Sequence, residues 1–300
     1  MPSLNLNESL GCVFIGILLA IALYGVSLAQ TMYYFRRYPK DSWALKGLVV
    51  LLWAIDTSRT AMAILLTWFY VVSGHGNVLV LDQFPTTYFG SEFALSTLSI
   101  LVVQLYYVAS IWRFLRNKWY KNYLTATFLI FALLSFGSGL ANVLSFTETS
   151  NIGSAVWDTR VPAILQHAAT FTTDVYISVA LSLILNKSRT GLGRTNYMIT
   201  QLVMYGITRG VLTALLQFLQ LVTFAEDLKA NPPILLWALF HFVDGAAYTN
   251  SLMALLNMRA HILQGGSVEA ADHFSVEIPM RPVRPSTTQA TAEDIALHQA

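Results

Sequence analysis

Charge is what this sequence has least of. Only 11% of its 300 residues are Asp, Glu, Lys or Arg, whereas 55% are hydrophobic and the mean hydropathy is +0.54. An average soluble domain carries roughly 25% charged residues, so a water-facing surface over this length is hard to reconcile with the composition. A polytopic membrane protein is the class that remains. Cysteine is almost missing as well. Cys12 stands alone, which excludes an intrachain disulfide, and its place near one end of an apolar span reads as packing. The net charge is only +2 and no basic run reaches the density of a nucleic-acid patch, so nucleic acid is not an expected partner. No Gly-rich phosphate loop, serine nucleophile elbow or kinase signature lies outside the apolar stretches. No long-period repeat and no similarity between the halves is visible, which speaks against an inverted-repeat transporter.

What is abundant is long apolar runs. A bilayer core about 30 Å thick needs roughly 20 mostly apolar residues in a helix, and seven stretches qualify: Leu10 to Tyr34, Gly47 to Tyr70, Ser91 to Leu115, Tyr123 to Phe146, Val161 to Leu185, Tyr197 to Phe224 and Ile234 to Leu256. The first is too long for a signal-peptide core and no Lys or Arg precedes it, so it is expected to stay as a helix. Basic residues cluster after every odd-numbered span: Arg36, Arg37, Lys40 and Lys46; Arg113, Arg116, Lys118 and Lys121; Lys187, Arg189 and Arg194; then Arg259, Arg281 and Arg284. The other loops hold only Arg160 and Lys229. By the positive-inside rule the N-terminus is expected outside and the C-terminus in the cytoplasm, in the plasma membrane or another secretory-pathway membrane. Tyr33, Tyr34, Trp43, Trp68, Tyr70, Trp112, Trp119, Tyr120 and Trp157 flank the span ends, where amphipathic rings settle at headgroup level. Residues 1–9 form an outer tail, 10–261 the bundle, and 262–300 a Gly-, Ser-, Thr- and Pro-rich cytoplasmic tail expected to be disordered, whose partner is unknown. Asn7 heads an N-glycosylation triplet on the outer side, whereas the triplet at Asn186 faces the cytoplasm.

Five ionisable residues fall near the midplane of these spans: Asp56, Arg59, Asp174, Arg209 and Asp244. Each costs about 2.5–3.5 kcal/mol there on insertion scales, so they are expected to face the bundle interior and compensate one another. Helical spacing agrees. His167, Thr170 and Asp174 share one face, His241, Asp244 and Tyr248 repeat the same offsets, and Gln201, Tyr205, Arg209 and Thr213 form a stripe with four-residue steps. Asp56 to Thr60 is polar at every position and goes right round its helix. Thr57, Ser58 and Thr60 can bond back to carbonyls one turn earlier, but Asp56 and Arg59 need each other, a neighbouring helix or water. Two readings stand: a structural ion-pair network, or a polar cavity for a ligand, proton or ion.

Further absences narrow the chemistry. No lysine lies well inside a span, which disfavours a retinal Schiff base. Only His167 and His241 lie within spans, one histidine short of the usual three-His hydrolytic zinc site, with Asp174 and Asp244 as candidate carboxylate ligands or bases. No metal and no cofactor is expected, and a metal-dependent intramembrane hydrolase is the minor alternative. The third span ends without an acidic-Arg-Tyr triplet and the seventh carries Asn250-Ser251-Leu252 without Asn-Pro-x-x-Tyr, unlike G-protein-coupled receptors.

Two stretches carry a resemblance. Asn186 to Gln217, with Lys187-Ser188-Arg189-Thr190-Gly191, Arg194-Thr195, Gly210 and Leu212-Thr213, and Tyr248 to Arg259, with Asn250-Ser251-Leu252 and Leu256-Asn257, are similar to a large family of seven-helix membrane proteins of mushroom-forming fungi. Its members carry a C-terminal domain of unknown function, here about 170–259. Tyr24 to Ala61, with Tyr38-Pro39-Lys40-Asp41 and Asp56-Thr57, also looks like that family. The resemblance implies the all-α seven-helix fold but no activity, substrate or cofactor. Arg59 stands where relatives often have His, Ala246 where they often have a basic residue, and Arg209 and Asp244 look unusual, so Asp56 and Asp174 are the more family-like charges. The expected function is receptor-like or sensory, not enzymatic, with a small molecule in a midplane polar pocket. A proton- or ion-coupled transporter is the rival, and a structural membrane component without a ligand is the third possibility.

Overall fold

The computed structural model describes residues 10–75, 77, 80, 83–115, 118–148, 152–187, 193–230 and 234–275. The described elements are eight α-helices: α1 Leu10–Arg37, α2 Trp43–Trp68, α3 Thr86–Phe114, α4 Lys121–Thr147, a short α5 Ile152–Asp158, α6 Arg160–Lys187, α7 Gly193–Asp227 and α8 Leu236–Ser275. A π-helical turn, Phe69–Ser73, extends α2. The tail expected from residue 262 begins as helix, because α8 continues to Ser275. The rest of that tail, the outer segment with Asn7, and the side chains of Asn186 and Gln201 lie outside the described residues.

Among the described residues, five helices are long and apolar enough to cross a membrane: Leu10–Arg37, Trp43–Ser73, Thr86–Arg113, Lys121–Thr147 and Tyr205–Asp227. Their outward faces fit that solvent. Phe14, Ile15 and Leu18 of α1, Ile130, Leu133 and Leu144 of α4, and Val211, Leu215 and Phe218 of α7 are exposed. A belt of that size would be an aggregation surface in water. Trp43, Trp68, Trp119 and Trp157 stand exposed near helix ends, as interfacial aromatics do. These features fit an integral membrane protein. α6 and α8 are not among the five; each polar residue they turn inward lowers the mean hydropathy by which a span is recognised.

The long helices close a ring. α1 packs on α2, α2 on α3, α3 on α4, α4 on α6, α6 on α7, α7 on α8, and α8 back on α1, while α3 also touches α6 and α8 across the middle. Two apolar clusters occupy the ends. Toward the α1–α2 turn, Tyr34, Leu52, Val103, Ile111, Phe128, Ile177, Tyr248 and Leu252 pack together. Toward the α2–α3 turn, Ile17, Leu66, Phe89, Phe93, Phe146, Trp237 and Phe242 do so. Gly16 lets α1 and α8 approach backbone to backbone, since a Cβ there would stand 2.9 Å from Leu239 Cα.

The end holding the first cluster is clasped by polar groups. Arg259 of α8 donates to Asp41 Oδ2 at 2.6 Å, Tyr34 Oη donates to the same oxygen at 2.7 Å, and the guanidinium lies 4.6 Å from the Tyr38 ring centroid. Tyr38 Oη donates to Asn257 O and the Asn257 amide donates to Gln30 O. Partial burial works to raise the Asp41 carboxyl, but the hydrogen bonds from Arg259 and Tyr34 outweigh it and hold the group below its ordinary value. At the opposite end Asp227 accepts from the backbone N–H of Ile234 and Leu235 and from Trp237 Nε1. These bonds hold Leu235 at φ 57, a left-handed conformation that a leucine rarely adopts.

Gly16→Ala is expected to destabilise the protein by about 1–3 kcal/mol, because the atom it meets is backbone and cannot rotate away. Gly25→Ala, which meets nothing within 4 Å, should be neutral; equal thermal unfolding midpoints in detergent for the two variants would refute the close-packing account. For Asp41, the folded value lies below the unfolded one, so the clasp contributes stability above the ordinary aspartate range and loses it as pH falls through the lowered value. The midpoint difference between wild type and Asp41→Asn should therefore be constant at neutral pH and shrink in acid.

Candidate functional site

The midplane charges singled out in the sequence are buried: Asp56, Arg59, Asp174, Arg209 and Asp244, with His167, His241 and Tyr248. Their environments divide into three linked groups.

The first centres on Arg59. Its Nη2 donates to Asp56 Oδ1 at 2.9 Å and its Nη1 to Phe242 O of α8 at 3.0 Å, with Glu92 Oε1 of α3 at 3.6 Å, an ion pair without a hydrogen bond. α8 admits the guanidinium at Gly245, where a Cβ would lie 2.8 Å from Arg59 Nη1 and 2.5 Å from Ser96 Oγ. The other polar residues of this turn find the local outlet their chemistry allows. Thr57 bonds Trp53 O and also meets Tyr24 Oη, and Thr60 bonds Asp56 O.

Glu92 leads to the second group. Its Oε2 lies 2.8 Å from His241 Nε2, and the His241 ring stacks on Phe93 with centroids 4.7 Å apart and planes 11° apart. His241 Nδ1 is 3.4 Å from the Gln220 amide nitrogen. One turn away on α7, Gln217 Oε1 is 2.9 Å from His167 Nδ1 while its amide donates to Asp244 Oδ2. Gln217 thereby joins α6 to α8.

In the third group, Tyr248 Oη donates to Asp174 Oδ2 and Arg209 Nη2 stands 3.5 Å from Asp174 Oδ1. Arg209 makes no hydrogen bond through any of its three nitrogens. Its guanidinium lies instead over aromatic faces, 4.2 Å from the Tyr107 centroid and 5.4 Å from that of Tyr248. Around these groups hydroxyls and amides cross the remaining interfaces: Ser99 with Thr249, Ser135 with Thr170, and Asn142 with Gln166, which in turn reaches Thr97.

The side chains that helical spacing groups on one face are buried in the structure. His167 and Asp244 meet through Gln217, and Asp174 meets Tyr248 directly, so the matching faces on α6 and α8 do oppose each other. Sequence reasoning missed Glu92, Gln217 and Gln220. Gln217 continues the four-residue steps of the stripe from Tyr205 through Arg209 and Thr213, so its signal was there. Glu92 sat at the edge of a span expected to begin at Ser91, whereas α3 begins at Thr86 and carries it inside.

The charges are packed against one another. The crevice bounded by Arg59, Glu92, Thr60, Ala63 and Phe242 has no room for a water molecule. Among the described residues, two larger openings are apolar: a narrow pocket near the α2–α3 end lined by Tyr70, Phe89, Phe146 and Trp237, and an outward groove between α6 and α7 lined by Phe171, Val175, Val211 and Phe218. No group of three or more His, Cys, Asp or Glu side chains that could hold a metal ion occurs among the described residues.

Fold and site together fit an all-helical membrane protein with a buried polar layer. Residues 170–261 match a family of unknown function, DUF6534. The matched segment includes Asp174, Arg209, His241, Asp244 and Tyr248 but not Asp56, Arg59 or Glu92. No match was found among curated proteins or among solved structures.

Because Arg59 and Asp56 are in direct contact, removing one partner should cost about 3–5 kcal/mol by stranding the other. In a double-mutant cycle with Asp56→Asn and Arg59→Leu, the combined variant is expected to be less damaged than the sum of the singles, with a coupling of about 0.5–3 kcal/mol. Additive effects on the unfolding midpoint would argue against the pair.

Proposed function

We propose that the chain is a seven-span integral membrane protein, N-terminus outside and C-terminus cytoplasmic, that works as a receptor-like two-state bundle whose moving part is the buried polar layer. Support for seven spans comes from α6 and α8, which feed both apolar clusters: α6 contributes Ala163 to one and Ile177 to the other, and α8 contributes Phe242 to one and Leu252 to the other. A helix that reaches both ends of the bundle runs beside the five apolar spans for their full depth. The alternating bias of Lys and Arg supplies the orientation.

The observation that carries the two-state reading is incomplete satisfaction of the buried charges. Asp56 Oδ2, Glu92 Oε1, Asp174 Oδ1, Asp244 Oδ1 and all three Arg209 nitrogens are buried without a hydrogen bond. A purely structural knot gains nothing by leaving such groups unmet, since each costs about 1–3 kcal/mol or more. Bistable elements, in contrast, store that cost in one state and recover it in another. A carrier would need the layer to open to water at each end in turn, and apolar clusters close off both ends here, which favours signalling over transport. The place for an extracellular small molecule is the narrow aromatic pocket, whose Phe89 and Trp237 centroids lie 5.9 and 6.2 Å from the His241 ring. An apolar ligand there would press on the layer without entering it.

Two measurements on the full chain test this reading. In a Cys12→Ser background, cysteines at Ser42 and Lys118 should react with a membrane-impermeant thiol reagent only after permeabilisation, and cysteines at Asp158 and Lys229 from outside. Reaction of both sets from one side would overturn the topology. Spin labels at Ser42 and Lys118 in nanodiscs should give two distance populations; a single narrow one would overturn the two-state reading.

A further inference from the structure

The buried layer holds more acid than base. Asp56, Glu92, Asp174 and Asp244 contribute four carboxylates, and Arg59 and Arg209 are the only guanidinium groups among the described residues of the layer. With all four ionised, two negative charges would be uncompensated by fixed cations, and an unpaired charge in a dry interior is too costly to leave as it stands. The space beside Arg59 and Glu92 cannot take even a water molecule, which leaves no room for a hydrated counter-ion. The smallest compensating ion is a proton.

His241 is built to take one. With its proton on Nε2, a neutral ring donates to Glu92 Oε2 at 2.8 Å and accepts at Nδ1 from the Gln220 amide nitrogen at 3.4 Å. That arrangement leaves Gln220 Oε1 buried with no hydrogen-bond partner. A half-turn of the Gln220 amide exchanges its oxygen and nitrogen and brings Oε1 to Nδ1, where an Nδ1–H satisfies it; with an ionised Glu92 accepting at Nε2, both ring nitrogens then carry protons and the ring is an imidazolium. The same three side chains thus offer a hydrogen-bonded place to both protonation states. Glu92 of α3 meets the His241 ring directly. The buried ionisable groups on the surrounding helices include Arg59 and Asp56 of α2, His167 and Asp174 of α6, Arg209 of α7, and Asp244 and Tyr248 on its own helix, with Asp227 of α7 bonded to Trp237 beside the ring. α7 also supplies Gln217 and Gln220, and α1 and α4 bring Ile17 and Phe146 to this end of the bundle.

We infer that Glu92, His241 and Gln220 form a proton-binding site within the bundle, taking up one proton per chain as the imidazole becomes an imidazolium paired with Glu92. Resting on the two-state reading above, this makes acidity one input to the switch. An imidazolium competes with Arg59 for Glu92, whose second oxygen is already 3.6 Å from Arg59 Nη1. Arg59 holds α2 to α8 through Phe242 O, so the charge on His241 bears directly on how those helices pack.

Nuclear magnetic resonance of the full chain in nanodiscs tests the proposal without a variant. Phe240-His241 is the only Phe-His pair in the sequence, so 13C-carbonyl phenylalanine combined with 15N histidine picks out His241, and intraresidue transfer reaches its ring. Lowering the pH from about 8 to about 5, the range in which imidazoles ordinarily titrate, should move the two ring nitrogens from the split shifts of one neutral tautomer to the nearly equal shifts of an imidazolium. In Glu92→Gln the transition should move to lower pH or vanish. A ring that keeps one protonation state throughout overturns the proposal, and a titration unchanged in Glu92→Gln overturns Glu92 as its partner. If the ring titrates while the spin-label distances stay fixed, the proton site stands and the two-state reading falls.

Discussion

A guanidinium at the centre of an apolar bundle sets terms that its neighbours must meet. Arg59 cannot shed its charge, and water has no access to it, so its donors reach whatever the surrounding helices can offer: Asp56 one turn earlier, a backbone carbonyl at Phe242, and the charge of Glu92. Each answer constrains a different helix. Phe242 O is within reach only because Gly245 removes the side chain that would otherwise occupy the same space. Glu92 must then be buried on α3, and its other oxygen requires His241. From one charge in α2 the arrangement of three helices follows, because low polarity around the group makes every unmet donor expensive.

The same logic gives the layer its character. Apolar clusters at both ends pack without directional demands, whereas the middle is a set of directional contacts met only in part. Arg209 marks the difference: it stands on the faces of Tyr107 and Tyr248 and near Asp174 without a single hydrogen bond. Interactions of that kind hold a charge in place while leaving a better arrangement open to it. The Asp41–Arg259 clasp is a separate polar junction, tying the α1–α2 turn to α8. A rearrangement in the layer that shifts α8 would thus be felt at the end from which the C-terminal segment leaves.

Much of the site is legible in the sequence, for a physical reason. Helical period alone puts His167 on the face of Asp174, and His241 on the face of Asp244 and Tyr248, and the cost of charge in hydrocarbon turns both faces inward. The three omissions are instructive. Glutamines carry no charge and raise no alarm in an apolar run, yet Gln217 and Gln220 bridge the histidines to their neighbours, since a side-chain amide can donate and accept at once. Glu92 was hidden by uncertainty in where a helix starts, because a residue at the membrane edge costs little and one deeper in costs a great deal.

By itself the sequence determined the apolar character of the spans, the all-helical class, the inward faces and the list of charges that must find partners, because composition and period are local properties that each segment carries alone. Only the tertiary structure decided which charge answers which. Arg59 reaching the α8 backbone, Gln217 bridging His167 and Asp244, and the tight fit of Arg59 against Glu92 and Phe242 all depend on how close the helices come, down to the absence of a Cβ at Gly16 and Gly245. That distance is set by the packing of the whole ring and is written in no single span.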